Sequence, residues 1–259
     1  MPKFAANLTM LWNELDFLDR FAKAADAGFT GVEYLFPYAY PAEQLAEKLK
    51  AHGLTQALHN LPAGDWAKGE RGIALLPDRV GEFQDSVGKG IEYAKVLGTQ
   101  TLNVLVGLTP KEIPAETVHE TLVSNLKFAA AELKKAGIPF VAEAINTRDI
   151  PGFHLTNTKQ ALALFDEVGA DDIFFQYDIY HMQIMEGDLT PTIRANIARI
   201  KHIQLADNPG RGEPGTGEIN YPFLFEAIDA AGYTGWIGCE YKPKTTTDDG
   251  MSWFSPYKG

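Results

Sequence analysis

Eight short apolar runs recur along this chain, separated by longer stretches of helical periodicity most often closed by a glycine. The runs are KFAAN (3–7), GVEYLF (31–36), LTQALH (54–59) and TLNVLV (101–106), then IPFVA, IFFQY, IKHI and WIGC in the second half. Helical stretches read as 13–27, 41–52, 78–97 and 114–136. A fifth is capped by Asn157 or Thr158, another starts at Thr190 or Pro191, and the last covers 221–231. Gly28, Gly53, Gly98, Gly137 and Gly169 stand where a helix stop favours a residue free to turn left-handed. No linker or change of composition interrupts the alternation, so residues 1–259 read as a single domain. Strands that alternate with helices run parallel, and eight of them without an obvious edge strand close into a ring. The expected class is α/β and the expected architecture one (β/α)8 TIM barrel.

Each of the last four runs ends in a polar residue: Glu143, Asp178, Gln204 and Glu240. In a parallel barrel the carboxyl ends of the strands meet at one mouth, where such barrels place their chemistry. One of these residues alone would read as a helix cap or a lysine's partner; four on consecutive strands read as a site. Three carboxylates crowded together repel unless a cation or a proton relieves them. The ligand set is oxygen-only, which suits Mg²⁺ or Mn²⁺ over a structural zinc. Asn7, Glu33, His59 and Asn103 are offered to the same mouth by the early strands.

Other residues carry weaker signals. His181, three residues past Asp178, and His59, at the end of the third strand, are candidates for substrate binding. The loop after the third strand, GDWAKGERGIA, is too long for a mere connector and reads as a lid or wall bringing Lys68 and Arg71 near the mouth. Gly210 to Gly215 spells G-x-G-x-x-G, but it lies late, contains Pro214 and opens no helix at once. A shaped loop presenting Arg211 accounts for it better. Either arginine could take a carboxylate with its two-pronged head. Cys239 adjoins Glu240, but strand alternation turns it the other way, so it reads as a buried, inert thiol.

The net charge of −11, with the basic residues scattered, speaks against a nucleic-acid partner. No apolar stretch is long enough for a membrane span, the N-terminal residues turn acidic before any signal-like run, and one cysteine excludes an internal disulfide. A cytoplasmic protein is expected, with assembly into a homo-oligomer left open.

The stretches FAANLTMLW, GVEYLFPY, LHNLPAGDWAKGERGIA, EAIN with IPGFHLT, QYDIYHMQ, HIQLADNPGRGEPGTGEINY and GWIGCEYKP go further. Through them the chain resembles the hydroxypyruvate isomerase family, within the xylose-isomerase-like barrels, over essentially its full length. The resemblance implies that Glu143 and Glu240 act as proton donor and acceptor, and that they hold a divalent ion together with Asp178 and Gln204. It implies a small anionic hydroxy or oxo acid as substrate. Hydroxypyruvate and 2-hydroxy-3-oxopropanoate (tartronate semialdehyde) would interconvert through an enediolate, with a hydride shift as the rival course. His59, Arg71, His181 and Arg211 are then the candidates for gripping the substrate carboxylate.

Two departures bear on substrate preference. Ala144 stands where the family more often has proline, and Thr147-Arg148 where a His-Phe pair is common. A 2-oxo-tetronate isomerase or a metal-dependent ketose 3-epimerase would use nearly the same residues, though HNLPAGDWAKGERG sides with hydroxypyruvate. A non-catalytic sugar-acid sensor would lack the two glutamates. An abasic-site endonuclease shares the barrel but calls for several zinc ions, more histidines and a basic face.

Overall fold

The computed structural model describes residues 2–258. Eight parallel strands close in sequence order: β1 (Lys3–Asn7), β2 (Gly31–Glu33), β3 (Thr55–Asn60), β4 (Thr101–Val104), β5 (Phe140–Glu143), β6 (Ile173–Asp178), β7 (Ile200–Leu205) and β8 (Trp236–Cys239). The ring shuts where β8 pairs with β1, with Ala5 beside Gly238 and Ala6 beside Cys239. Apolar side chains on the outer face of the ring pack against the helices. Phe140, Phe175, Ile203 and Ile237 are fully buried there, and the hydrophobic effect of covering such residues holds the two layers together.

The helices are α1 (Arg20–Ala27), α2 (Ala42–Ala51), α3 (Val80–Leu97), α4 (Ala115–Ala136), α5 (Thr158–Val168), α6 (Ile179–Met185), α7 (Leu189–Asn196) and α8 (Tyr221–Ala230). Asn157 caps α5 by accepting the Gln160 N–H, as its sequence position suggests. Gly98 and Gly137 end α3 and α4 with left-handed backbone, φ 65° and 72°.

Three expectations about extent are corrected. The helix expected over 13–27 begins only at Arg20, because the Arg20 guanidinium ties up the carbonyls of Leu8, Asn13 and Leu15 and holds the preceding residues as a loop. β2 and β4 stop at Glu33 and Val104, since the chain beyond them leaves the ring to form the mouth. The β6 connection holds two helices, and the short α6 starts directly on Asp178. At the other end of the chain, Phe254 stacks on Phe29 at 4.2 Å between ring centroids, and Trp12 donates to Asp248. The last turns thereby close the wall beside β1.

Candidate active site

Strand alternation does the first part of the positioning. In β5 to β8 the side chains of Glu143, Gln176, Gln204 and, one residue past β8, Glu240 point into the barrel and line one cavity of about 370 Å³. Asp178 lies among them, almost wholly buried at the end of β6, where its Oδ1 also caps α6 by accepting the His181 N–H at 3.0 Å. Glu240 is fixed in height by its own N–H, which donates to the Leu205 carbonyl at 3.1 Å. The four residues picked out by their place in the sequence therefore do converge.

Burial raises the pKa of Glu143 well above the ordinary carboxylate range, and the charges of Asp178 and Glu240 push the same way. Glu240 is lifted to about 7 by burial, with Arg211 pulling against the rise. Arg211 Nη2 donates to Glu240 Oε2 at 2.9 Å and lies 3.9 Å from Asp178 Oδ2. Burial works against this guanidinium's charge, but Glu240, Asp178 and Glu143 outweigh it, so Arg211 stays protonated. It reaches inward from the loop after β7 on left-handed backbone (φ 56°), and its head lies over the Tyr180 ring. That loop takes its shape from Asp207, fully buried, whose carboxylate accepts the N–H groups of Asn208, Gly215, Gly217 and Ile219.

His181 joins the same group. Its Nε2 lies 3.6 Å from Glu143 Oε1 and 3.8 Å from Asp178 Oδ2, and its Nδ1 faces the Asn146 side chain at 2.6 Å. Burial lowers its pKa to about 4 against the pull of Asp178, so the ring is neutral near pH 7.

Below the carboxylates lies a layer of amides around Glu33. Its carboxylate accepts from Asn7 Nδ2 at 2.9 Å, Gln204 Nε2 at 2.8 Å and pairs with His202 Nε2 at 2.6 Å. Gly238 makes room for it, since a Cβ there would collide with the Glu33 carboxylate. Gln176 Nε2 donates to Gln204 Oε1 at 2.6 Å. Gln204 thus reaches the cavity with its oxygen shared with Gln176 rather than turned wholly to the carboxylates.

The donor set fits a hard divalent cation. Carboxylate oxygens of Glu143 and Asp178 lie within 4.8 Å of one another, with a His181 ring nitrogen equally near, and Asp178 Oδ2 is buried with no hydrogen-bond donor among the described residues. A bare buried carboxylate oxygen beside a second carboxylate is the kind of group a cation completes.

One expected residue is corrected. His59 does not face the mouth: in β3 the inward positions are Leu58 and Asn60, so His59 turns outward toward α3, bonded to Thr99 at 3.1 Å and edge-on to Tyr38. Burial there drives its pKa to about 3, and it has no path to substrate. Arg71 is nearer. Its guanidinium stacks on Trp66 at 4.1 Å and lines an outer cavity of about 490 Å³ with Arg211, Lys242 and Asp149. Lys68 instead stays on the surface against Asp65. Cys239 is buried on the far side of β8, and burial raises its thiol pKa well above the usual value. Lys242 and Asn146 lie within GWIGCEYKP and EAIN, but nothing local marked either as part of the site; each is brought in by a loop whose path no local pattern dictates.

Comparison with known proteins follows the same lines. Residues 21–257 match the family described as the xylose isomerase-like TIM barrel. The chain is 56% identical to hydroxypyruvate isomerase of Escherichia coli K12 over the whole of both chains. It is 49% identical to 2-oxo-tetronate isomerase of Cupriavidus necator H16, again over the whole of both. A crystal structure titled AP endonuclease, family 2, from Brucella melitensis is 44% identical, with a TM-score of 0.98 and complete coverage of both chains.

Proposed function

The chain belongs to the xylose isomerase-like TIM barrel family and, within it, to the hydroxypyruvate isomerases, and from that premise we infer how its site works. The enzyme is an isomerase that interconverts hydroxypyruvate and 2-hydroxy-3-oxopropanoate. The observation that carries the mechanism is the pairing of Glu143 and Glu240, two buried carboxyl groups on β5 and β8 that face one cavity.

Hydrogens beside a carbonyl are too weakly acidic to leave unaided near pH 7. Glu240, steadied by Arg211, is the group placed to take the proton from C3 of hydroxypyruvate. The C–H electron pair then becomes the C2–C3 double bond, the carbonyl pair moves onto the C2 oxygen, and the C3 hydroxyl passes its proton to that oxygen. Glu143, whose hold on a proton is raised by burial and the charge of Asp178, returns a proton to C2 as the C3–O pair forms the aldehyde, while Glu240 keeps the proton it took. The substrate carboxylate points outward, where Arg71 and Lys242 stand at the outer cavity and Arg211 borders both spaces. Apolar walls from Leu105, Ile145 and Ile150 keep water from the intermediate.

Glu143, Asp178 and Glu240 would hold a divalent ion, with Gln204 completing the set if Gln176 yields its oxygen. When bound, such an ion supplies positive charge for the oxygens of the enediolate. Magnesium is the assignment, with manganese as substitute, in a cytoplasmic enzyme. Among the described residues no helix is long and apolar enough to cross a membrane.

Turnover of hydroxypyruvate in deuterated water tests the reading. Tartronate semialdehyde carrying solvent deuterium at C2 is expected, and a product without deuterium would replace proton transfer by a hydride shift. The 2-oxo-tetronate isomerase reading stands second because of the 49% relative. It displaces the first if four-carbon 2-oxo acids turn over with at least tenfold higher kcat/KM.

A further inference from the structure

We propose that Asn146 is a positioning residue for the isomerisation, and that it acts by fixing which nitrogen of His181 carries the hydrogen; the proposal rests on the isomerase reading above. Asn146 lies just past β5 and is fully buried. Its Oδ1 accepts two main-chain N–H groups, from Arg148 at 3.0 Å and Asp149 at 2.7 Å. With the oxygen so committed, Nδ2 faces His181 Nδ1 at 2.6 Å and the Asp149 carboxylate at 3.3 Å. The opposite assignment of the amide would set NH₂ against two N–H donors and its oxygen against a carboxylate. The main-chain N–H of Asn146 points at His181 Nδ1 as well, at 3.4 Å.

His181 Nδ1 therefore receives two donors and must offer its lone pair to them. In the neutral ring the hydrogen sits on Nε2, facing the cavity. There it is 3.6 Å from Glu143 and 3.8 Å from Asp178, too far to be spent on either carboxylate. The N–H is free to donate to a substrate oxygen that enters between them. When Glu240 takes the C3 proton, charge gathers on the C2 oxygen, and a hydrogen bond from a neutral imidazole strengthens as it does so, with no proton transferred. The same tautomer removes His181 from the metal ligands, because the nitrogen on the cavity side has no lone pair to give.

The test uses ¹⁵N-labelled protein supplied with Mg²⁺. Long-range nitrogen–proton correlation reads the His181 tautomer directly, without substrate. The wild type should show a neutral ring with hydrogen on Nε2; hydrogen on Nδ1 overturns the proposal at once. Asn146→Asp keeps the oxygen that receives Arg148 and Asp149 but presents an acceptor to Nδ1, and Asn146→Ala removes the contact. Across both variants kcat should follow the fraction of His181 rings carrying Nε2–H, falling by about 10²–10³-fold when that fraction is lost, with KM within a few-fold. If kcat and the tautomer part company in either direction, or neither moves, Asn146 has no such role. Wild type with the expected tautomer but no turnover of any 2-oxo acid would instead bring down the isomerase reading, and this proposal with it.

Discussion

The two ends of the barrel are both hollow, and the amino-end cavity is larger than the inner cavity where the carboxylates converge. At the amino ends of the strands a cavity of about 620 Å³ is bordered by Lys3, Lys201, Phe174 and Trp236. Each lysine lies over an aromatic ring, 5.2 Å from Trp236 and 5.5 Å from Phe174, so the charged heads are already occupied. At the carboxyl end the inner cavity is only about 370 Å³, yet there two glutamates, an aspartate, an arginine and a histidine share a few ångströms of buried space. Volume makes room for a ligand; converging groups held out of water make a reaction. The strand direction decides which end is which, because the long loops that carry Arg211, Arg71 and Asn146 all leave the carboxyl ends.

Substitution can break that contrast or sharpen it. The largest effect is expected from Glu240→Gln, which keeps the shape and removes the base: kcat should fall by about 10²–10⁴-fold with an unchanged circular dichroism spectrum. Near-normal turnover would take Glu240 out of the mechanism. Next comes removal of the ion. Exhaustive chelation should lower activity by about 10²-fold or more, with recovery on adding Mg²⁺; a rate indifferent to chelator would leave acid–base chemistry alone.

Arg211→Gln is expected to act more subtly, through pH. Arg211 lowers the Glu240 pKa from what burial alone would give. Without it that pKa rises, so the pH at which Glu240 loses its proton, and the acid limb of kcat/KM, should move upward by about one pH unit. An unmoved or downward limb would mean that another group sets the profile. The smallest effect belongs to the far end: Lys3→Ala with Lys201→Ala should leave kcat/KM within about twofold, and a larger change would give that hollow a function.

How much of this was legible depended on whether a rule acts locally. Alternation along a strand is local, so the inward aim of Glu143, Gln204 and Glu240 and the outward aim of Cys239 followed from counting along the sequence. The same count condemns His59, because Asn60 next to it is the residue whose side chain meets Asn103 inside the ring. Its place at the end of a strand points to the mouth, but its parity points to the helices. The capping of α5 by Asn157 and the helix stops at glycine were equally readable. Contacts that join distant elements were not. The grip of Arg211 on Glu240 links the loop after β7 to the end of β8, and the approach of Asn146 to His181 spans two connections. Glu33 was placed at the mouth, whereas its length and the missing side chain at Gly238 let it settle lower, against His202.

The way Asp207 gathers the returning strand of its loop has a practical side. One carboxylate clamps both ends of the excursion, so the crown from Pro209 to Pro214 is carried like a jewel in a fixed setting. Grafted crowns of matching span, each with its own cation or hydroxyl in place of Arg211, offer a route to isomerases with altered appetites while the barrel beneath keeps its frame.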